Sequence, residues 1–329
     1  MSNRAWHLVS RPKGLPTLDN FALRELPRAP LGEGEVRVRN RWLSVDPYMR
    51  GRMNDAKSYV PPFALDAPMQ GGALGEVVES RAEGFAPGDL VAHMLGWREE
   101  AVGPAAAFSK VPALDVPEQL WLGHLGLTGG TAYFGLLRVA EAKPGDIVFV
   151  SAAAGAVGST VVQIAKAKGM EVIGSAGGAE KCAFVREIGA DRAIDYKAGP
   201  ILDQLLEAAP KGIDVYFDNV GGDHLDAALA AARPFGRFAM CGMIEDYNRG
   251  SAHVFRHAMK IVGARLTLKG FIYTDFLAEL PAFHRDMGEW IARGQVKSRE
   301  TVHDGIEAMP QAFLDLFSGA NIGKMLVRL

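Results

Sequence analysis

The chain has only two cysteines in 329 residues, Cys182 and Cys241. They are too few and too far apart for a disulfide framework, which favours a reducing compartment. An excess of charge of either sign is lacking as well. With 36 Lys and Arg against 38 Asp and Glu, the formal charge is −2, so there is no basic field for nucleic acid or an anionic membrane. The N-terminal run MSNRAWHLVSRPKG lacks the apolar core of a signal peptide, and the expected location is cytoplasmic. Residues 147–165 carry no charge, yet their glycines, serines, Thr160 and Gln163 suit a strand, turn and helix better than a membrane span. Several catalytic signatures are also missing. A catalytic zinc usually takes three protein ligands, such as two thiolates and an imidazole. Both cysteines fall in the second half of the chain, and His253 is followed by Val254, so the glutamate of an H-E-x-x-H helix is absent and no metal is expected. No G-x-S-x-G elbow occurs, which removes the α/β-hydrolases. None of the seven tyrosines has a lysine four positions later, which removes the tyrosine–lysine pair of short-chain dehydrogenases.

What is present centres on Ser151-Ala-Ala-Ala-Gly-Ala-Val-Gly-Ser159. Residues 146–150 (DIVFV) are a short apolar, β-branched run that predicts a buried strand, and 160–168 (TVVQIAKAK) predict a helix closed by Gly169. Strand, glycine turn and helix in this order form the first half of a dinucleotide-binding unit. The spacing is A-x-G-x-x-G, with Ala153 at the usual first glycine. Gly155 admits a pyrophosphate to the backbone, Gly158 admits the helix to the strand, and the helix N-terminus offers amides for the anion. A tight turn in some other α/β protein is the plainer alternative.

At about 150 residues per domain the length predicts two domains. Residues 1–122 are rich in Gly and Pro and show short strand patterns at 35–40, 75–79 and 89–92, with 35–40 alternating strictly as in a half-exposed strand. A mostly β sandwich or partly open barrel is expected there. Two pentapeptides, residues 87–91 and 144–148, are each a Pro-Gly turn feeding a strand. A helical stretch over 125–140 follows. From 146 to about 272, strands at 171–175, 192–195, 213–217, 237–241 and 265–271 alternate with helical stretches such as 179–188, as a doubly wound parallel sheet requires. Ligands of such sheets lie at the carboxyl ends of the strands, the side where Ser175, Asn219 and Gly242 fall. Helices at 280–293 and 309–317 and a final turn and strand over 321–327 complete the chain.

The tip of the second strand selects the cofactor. An Asp or Glu there would bond the ribose 2′-hydroxyl of NAD, but the sequence reads Ser175-Ala-Gly-Gly-Ala-Glu-Lys181. Lys181 falls in the first turn of the next helix, against the macrodipole, and a 2′-phosphate at that corner would explain it. A solvated lysine offset by Glu180 is the alternative. Tyr196, at the tip of the third strand, could lie beside the same adenosine.

With these residues in place, the chain resembles the zinc-independent medium-chain dehydrogenase/reductases, and within them the prostaglandin reductase and NADP-dependent alkenal double-bond reductase family. The resemblance covers essentially the whole length. It rests on Val45-Asp-Pro-Tyr-Met-Arg50, LTGGTAYFGLL at 127–137, AAAGAVGS at 152–159, Tyr216-Phe-Asp-Asn-Val-Gly-Gly222, Cys241-Gly-Met-Ile-Glu-Asp-Tyr-Asn248 and Asn321-Ile-Gly-Lys324. It implies a GroES-like β domain over 1–122 completed by 300–329, a Rossmann domain over 123–299, and an active site in the cleft between them. It implies NADPH held by Gly155, Ala156, Val157 and Gly158 at the pyrophosphate and by Lys181 and Tyr196 at the 2′-phosphate. Asn219, Cys241, Gly242, Phe271, Ile272, Tyr273 and Asn321 are the remaining implied cofactor contacts. Tyr48 and Tyr247 are the implied substrate residues, with Tyr247 anchoring or protonating the substrate oxygen; without the resemblance, Tyr247 would read as a packing aromatic in a loop. The implied activity is reduction of the C=C bond of an enone or enal by a homodimer, with quinone reduction and non-catalytic NADPH binding as alternatives. This chain departs from the mammalian members by having Arg249-Gly-Ser-Ala where they carry a proline-rich insert, and by being shorter between Tyr59 and Met69.

Overall fold

Six short runs of the central chain pair as one parallel sheet, in the order Arg192–Asp195, Glu171–Ala176, Ile147–Val150, Ile213–Asp218, Ala232–Met240, Thr267–Gly270. Numbered along the chain this is 3-2-1-4-5-6, the doubly wound order, which reverses direction between Ile147–Val150 and Ile213–Asp218. A strand covered by helices on both faces needs apolar side chains all along, and Val148, Phe149 and Val150 are fully buried. Phe149 and Tyr216 stack at 5.1 Å between rings in a core that also holds Ile173, Leu205, Leu225 and Phe238. Each such side chain contributes about 1.5–3 kcal/mol on burial. The computed structural model describes residues 3–112, 115–248 and 253–329. The chain divides into two units, Gly123–Arg299, which contains this sheet, and Met1–Leu122 with Glu300–Leu329.

Several boundaries differ from those expected. The helix after the glycine turn is Ala156–Ala167, so it starts inside the turn and not at 160. Gly155 is its N-cap with extended backbone, and residues as small as Ala156, Gly158 and Ser159 let the first turn lie directly on the strand. Gly169 and Gly189 take positive φ, 76° and 108°, just past helices Ala156–Ala167 and Ala179–Glu187, as left-handed termination requires. The helical stretch over 125–140 is an α-helix at Leu127–Phe134 that widens into a π turn at Gly135–Val139. A methyl on Gly135 would fall 2.4 Å from Phe271 and 2.6 Å from Phe217, so the chain passes these rings only without a side chain. The fifth strand begins at Ala232, before Pro234-Phe-Gly236, because Ala232 pairs with Ile213 ahead of a bulge.

In the other unit, a seven-stranded sheet contains Glu300–Asp304, Lys324–Arg328, Glu35–Ser44, Ala73–Ser80, Leu90–His93 and Phe108–Lys110 in that order, with Glu100–Pro104 paired to Glu35–Ser44. The last strand, Lys324–Arg328, is antiparallel to Glu35–Ser44, which binds residues 300–329 to the N-terminal part. The strand from Glu35 is not half-exposed. Arg37 is buried, held by Glu79 at 3.1 Å and by the Ala29 carbonyl at 2.6 Å, so the polar half of its alternation is partly internal. With the small antiparallel pair Asn3–Leu8 and Phe21–Leu26, the unit has the mostly β, GroES-like character expected, and its core packs Trp97, Phe313, Met49 and Leu43. Residues 249–252, one of the two stretches that depart from the mammalian pattern, lie outside the described residues.

Candidate functional site

The carboxyl edge of the parallel sheet is knitted by hydrogen bonds between neighbouring strand tips. The Ser151 amide donates to the Phe217 carbonyl at 3.2 Å, the Ala153 amide to the Ser175 carbonyl at 2.8 Å, and the Gly155 amide to the Ala152 carbonyl at 2.9 Å. Ala152 adopts a left-handed φ of 47°, a conformation with a cost for any residue other than glycine. Gly158 makes the closest approach: a methyl there would fall 2.3 Å from the Ala152 carbonyl oxygen and 2.9 Å from Ala153 Cα. The Ser159 amide makes the first helical bond, to Gly155 at 2.9 Å, ahead of which lie the amides of Ala156, Val157 and Gly158. Gly155 has no side chain to cap them. A helix of this length with an uncapped, glycine-led start favours an anion at that end.

At the second strand tip, Gly177 and Gly178 follow Ala176, with no acid between the strand and helix Ala179–Glu187. Lys181 sits in that helix's first turn, partly buried, and makes no ion pair among the described residues. Glu180 does not offset it by pairing; it lies 3.7 Å from Arg299. Burial, and then repulsion by the Lys197 ammonium, hold Lys181 below the ordinary lysine pKa, with Glu180 opposing. A methyl on Gly177 would meet the Tyr196 hydroxyl at 2.7 Å and Lys197 Cε at 2.9 Å. The Lys197 side chain and the Tyr196 phenol thus converge beside a glycine, with Lys181 within electrostatic reach of Lys197. Asp195 does not neutralise them as an ion pair; its Oδ1 accepts the Gly178 amide at 2.8 Å and the Lys197 amide at 3.0 Å, which fixes the corner's backbone. Lys197 was missed in the sequence, although it directly follows Tyr196; only the sheet pairing brings it to Lys181. Behind the corner, Ser175 bonds His224 at 3.0 Å and the Tyr196 ring meets His224 edge-on at 5.3 Å. Burial lowers the His224 pKa to about 4, so this histidine packs neutral.

At the fourth strand tip, the Asn219 amide bonds Ser151 Oγ at 2.9 Å and its side-chain Nδ2 donates to the Ser151 carbonyl at 2.8 Å. Asn219 therefore clamps the switch point. The Cys241 and Gly242 amides both donate to the Asp218 carbonyl, at 2.9 and 3.0 Å. The Cys241 thiol is pushed up to about 12 by burial and by Asp218, and is no nucleophile near neutral pH. Tyr247 lies in the short turn Asp246–Asn248, half-buried, with its hydroxyl 3.1 Å from where a methyl on Gly242 would stand. Phe271 contributes its side chain to the core against Phe217 and Phe276, leaving only backbone for a ligand. The Ile272 amide bonds Asp275 at 3.0 Å, and the Tyr273 ring fills the space that a side chain on Gly130 would need.

Two expected residues belong to the other unit. Asn321 donates from Nδ2 to the Gly323 carbonyl at 2.9 Å, shaping the turn before the last strand. The Tyr48 hydroxyl is buried without a hydrogen-bond partner among the described residues, and burial, with Asp46 adding, raises its pKa well above the usual tyrosine value. Nearby, Lys324 is buried but satisfied: its Nζ reaches the Val45 carbonyl at 2.9 Å, the Met325 carbonyl at 2.8 Å and Asp46 at 3.2 Å.

A doubly wound sheet with a glycine-led, uncapped helix start at its switch point defines the dinucleotide-binding class of fold. A family model described as the N-terminal domain of oxidoreductase matches residues 4–111, and one described as zinc-binding dehydrogenase matches 156–289. The chain is 41% identical over 335 residues to the NADPH-dependent curcumin reductase of Escherichia coli (strain K12), covering 99% of this chain and 96% of that protein. It is 39% identical over 334 residues to the 2-alkenal reductase (NADP(+)-dependent) of Nicotiana tabacum, covering 99% and 97%. The crystal structure of CurA in complex with NADPH from Vibrio vulnificus superposes with a TM-score of 0.94 at 40% identity, over 99% of this chain and 98% of that one. The chain belongs to the zinc-independent medium-chain dehydrogenase/reductases, in the group of NADP-dependent oxidoreductases that includes the alkenal and prostaglandin reductases. The second family description names zinc; among the described residues no group of three or more His, Cys, Asp or Glu could hold a metal ion.

Proposed function

We propose that this chain reduces the C=C bond of α,β-unsaturated ketones and aldehydes with NADPH and without a metal. The observation that carries the reading is the Lys181–Lys197 corner, which no ion pair among the described residues neutralises, together with an uncapped helix start, in a chain alike from end to end to a 2-alkenal reductase. NADPH, when bound, supplies the hydride that adds to the substrate's β-carbon. The amides of Ala156, Val157 and Gly158 would hold the pyrophosphate, and Lys181, Lys197 and Tyr196 the 2′-phosphate. Asn219, Cys241, Gly242, Phe271, Ile272, Tyr273 and Asn321 would supply the remaining contacts, Phe271 through its backbone. Tyr247 donates a hydrogen bond to the carbonyl oxygen, where enolate charge collects as the β-carbon is reduced, and a proton from solvent completes the reduction at the α-carbon. The buried, unpartnered hydroxyl of Tyr48 offers a second polar contact to the substrate.

The test is steady-state kinetics on an enone and a 2-alkenal, with quinones and alcohols as comparison substrates. Tyr247→Phe is expected to lower kcat for the enone on the order of tenfold and to leave the NADPH Kd nearly unchanged, since the lost bond forms mainly in the transition state. Turnover of quinones alone would replace the reading with quinone reduction. Binding of NADPH without turnover of any substrate would leave a non-catalytic binding protein.

The proposal includes a cytoplasmic homodimer. Both thiols are free, and among the described residues no helix is long and apolar enough to cross a membrane. Strand Thr267–Gly270 ends the parallel sheet, and the preceding segment exposes Val254, Met259 and Val262 at 78%, 79% and 72%. An open edge beside such residues favours pairing with a second copy. Light scattering should give twice the chain mass, and Val262→Glu should shift it toward one; a monomer at micromolar concentration would refute the dimer.

A further inference from the structure

The residues between strand Ala232–Met240 and Tyr247 form a strap along the Asp218–Gly222 turn. After the two amides that bond the Asp218 carbonyl, the Ile244 amide donates to Asn219 at 3.3 Å, the Glu245 amide to Val220 at 3.1 Å and the Asp246 amide to Met243 at 2.9 Å. The turn underneath is set by the buried Asp218, whose Oδ1 accepts the amides of Val220 at 2.9 Å and Gly221 at 2.8 Å and the Tyr216 hydroxyl at 2.7 Å. Gly221 and Gly222 follow with φ of 74° and 51°, and helix Gly222–Ala231 starts without a side-chain cap from Gly221.

Carboxylates of the strap occupy the space these glycines leave. A methyl on Gly222 would fall 2.2 Å from Oε2 and 2.7 Å from Oε1 of Glu245, and one on Gly221 would fall 3.0 Å from Asp246 Oδ2. A carboxylate over the first residue of a ten-residue helix is stabilised by the helix's positive end. The residue after this pair is Tyr247, whose ring folds back so that its hydroxyl reaches Gly242, the start of the same strap.

We infer that Glu245, supported by Asp246, is a positioning residue for Tyr247: its carboxylate docks on the start of helix Gly222–Ala231 and locks the strap that places the tyrosine hydroxyl beside Gly242. This rests on the reading of Tyr247 as the donor to the substrate oxygen. The paired glycines are then explained by the carboxylates above them. The same pair places negative charge at this helix start, in contrast to the open start of helix Ala156–Ala167.

The experiment is a double-mutant cycle read by kcat for an enone at saturating NADPH, with a thermal melt of each variant. Glu245→Ala is expected to lower kcat about five- to tenfold in the native background and less than about twofold when Tyr247 is already Phe, because the two act as one unit. Glu245→Gln keeps the shape and an acceptor oxygen but loses the charge that the helix's positive end attracts, and should fall between the native protein and Glu245→Ala, within about threefold of native kcat. Independent, multiplicative losses would overturn the inference, as would an unchanged kcat in Glu245→Ala alongside an impaired Tyr247→Phe. An unchanged kcat in Tyr247→Phe itself would instead remove the donor reading beneath it. A fold-wide effect would lower the melting temperature and cut kcat equally in both backgrounds, which also counts against positioning.

Discussion

Lys181→Ala is expected to raise the Kd for NADPH about ten- to a hundredfold while leaving that for NADH nearly unchanged. A charge-assisted contact to phosphate contributes roughly 1.5–3 kcal/mol, and each 1.4 kcal/mol is about tenfold in affinity. Selectivity follows from position. Lys181 makes no ion pair among the described residues, so its removal leaves no partner there exposed, and NADH brings no 2′-phosphate to miss it. The neighbouring Lys197 currently repels it, and a dianion between the two would convert that repulsion into shared attraction. Lys197→Ala should therefore also weaken NADPH selectively, and the double variant should lose at least the product of the two, since in each single variant the remaining lysine retains part of the field. Fluorescence titration of both cofactors against the three variants measures this. Equal weakening of NADPH and NADH would place Lys181 at the pyrophosphate or in folding and remove the 2′-phosphate assignment.

Gly158→Ala should weaken both cofactors together, by about tenfold or more, and lower the melting temperature. The added methyl would stand 2.3 Å from a backbone oxygen and 2.8 Å from its carbonyl carbon, atoms that cannot swing aside as a side chain would. Helix Ala156–Ala167 must move off the turn, and its free amides move with it. Overpacking of this kind costs about 1–3 kcal/mol, equivalent to a fall of several degrees for a chain of this size. Gly263→Ala is the control, because nothing lies within 4 Å of its added methyl and neither property should change. A Gly158→Ala protein with native melting and native affinity for both cofactors would show that close helix–strand contact is not needed at this turn.

The alternation of strand and helix, the glycine turn and the missing acid at the second strand tip were all legible because each depends on residues within a dozen positions of one another. Residues 192–195 and the glycine closures at 169 and 189 were readable for the same reason. The helix start at Ala156 was not, since small residues read as turn until the strand they pack on is present. Two helices, Ile201–Ala208 and Gly222–Ala231, were not singled out although the alternation required helices there. The second opens on two positive-φ glycines, which in a sequence signal a turn.

By itself the sequence determined the class of fold, the cofactor type and the order of the motifs, because backbone preference and short spacing are local properties. Only the tertiary structure decided which side chains share a charge. Lys197 reaches Lys181 through strand pairing, Arg37 becomes internal because Glu79 lies on the adjacent strand, and Glu245 covers Gly222 because two strand tips are neighbours in the sheet. Electrostatic partners are chosen by distance in space, and in a parallel sheet the tips that meet are separated by a whole crossover of chain.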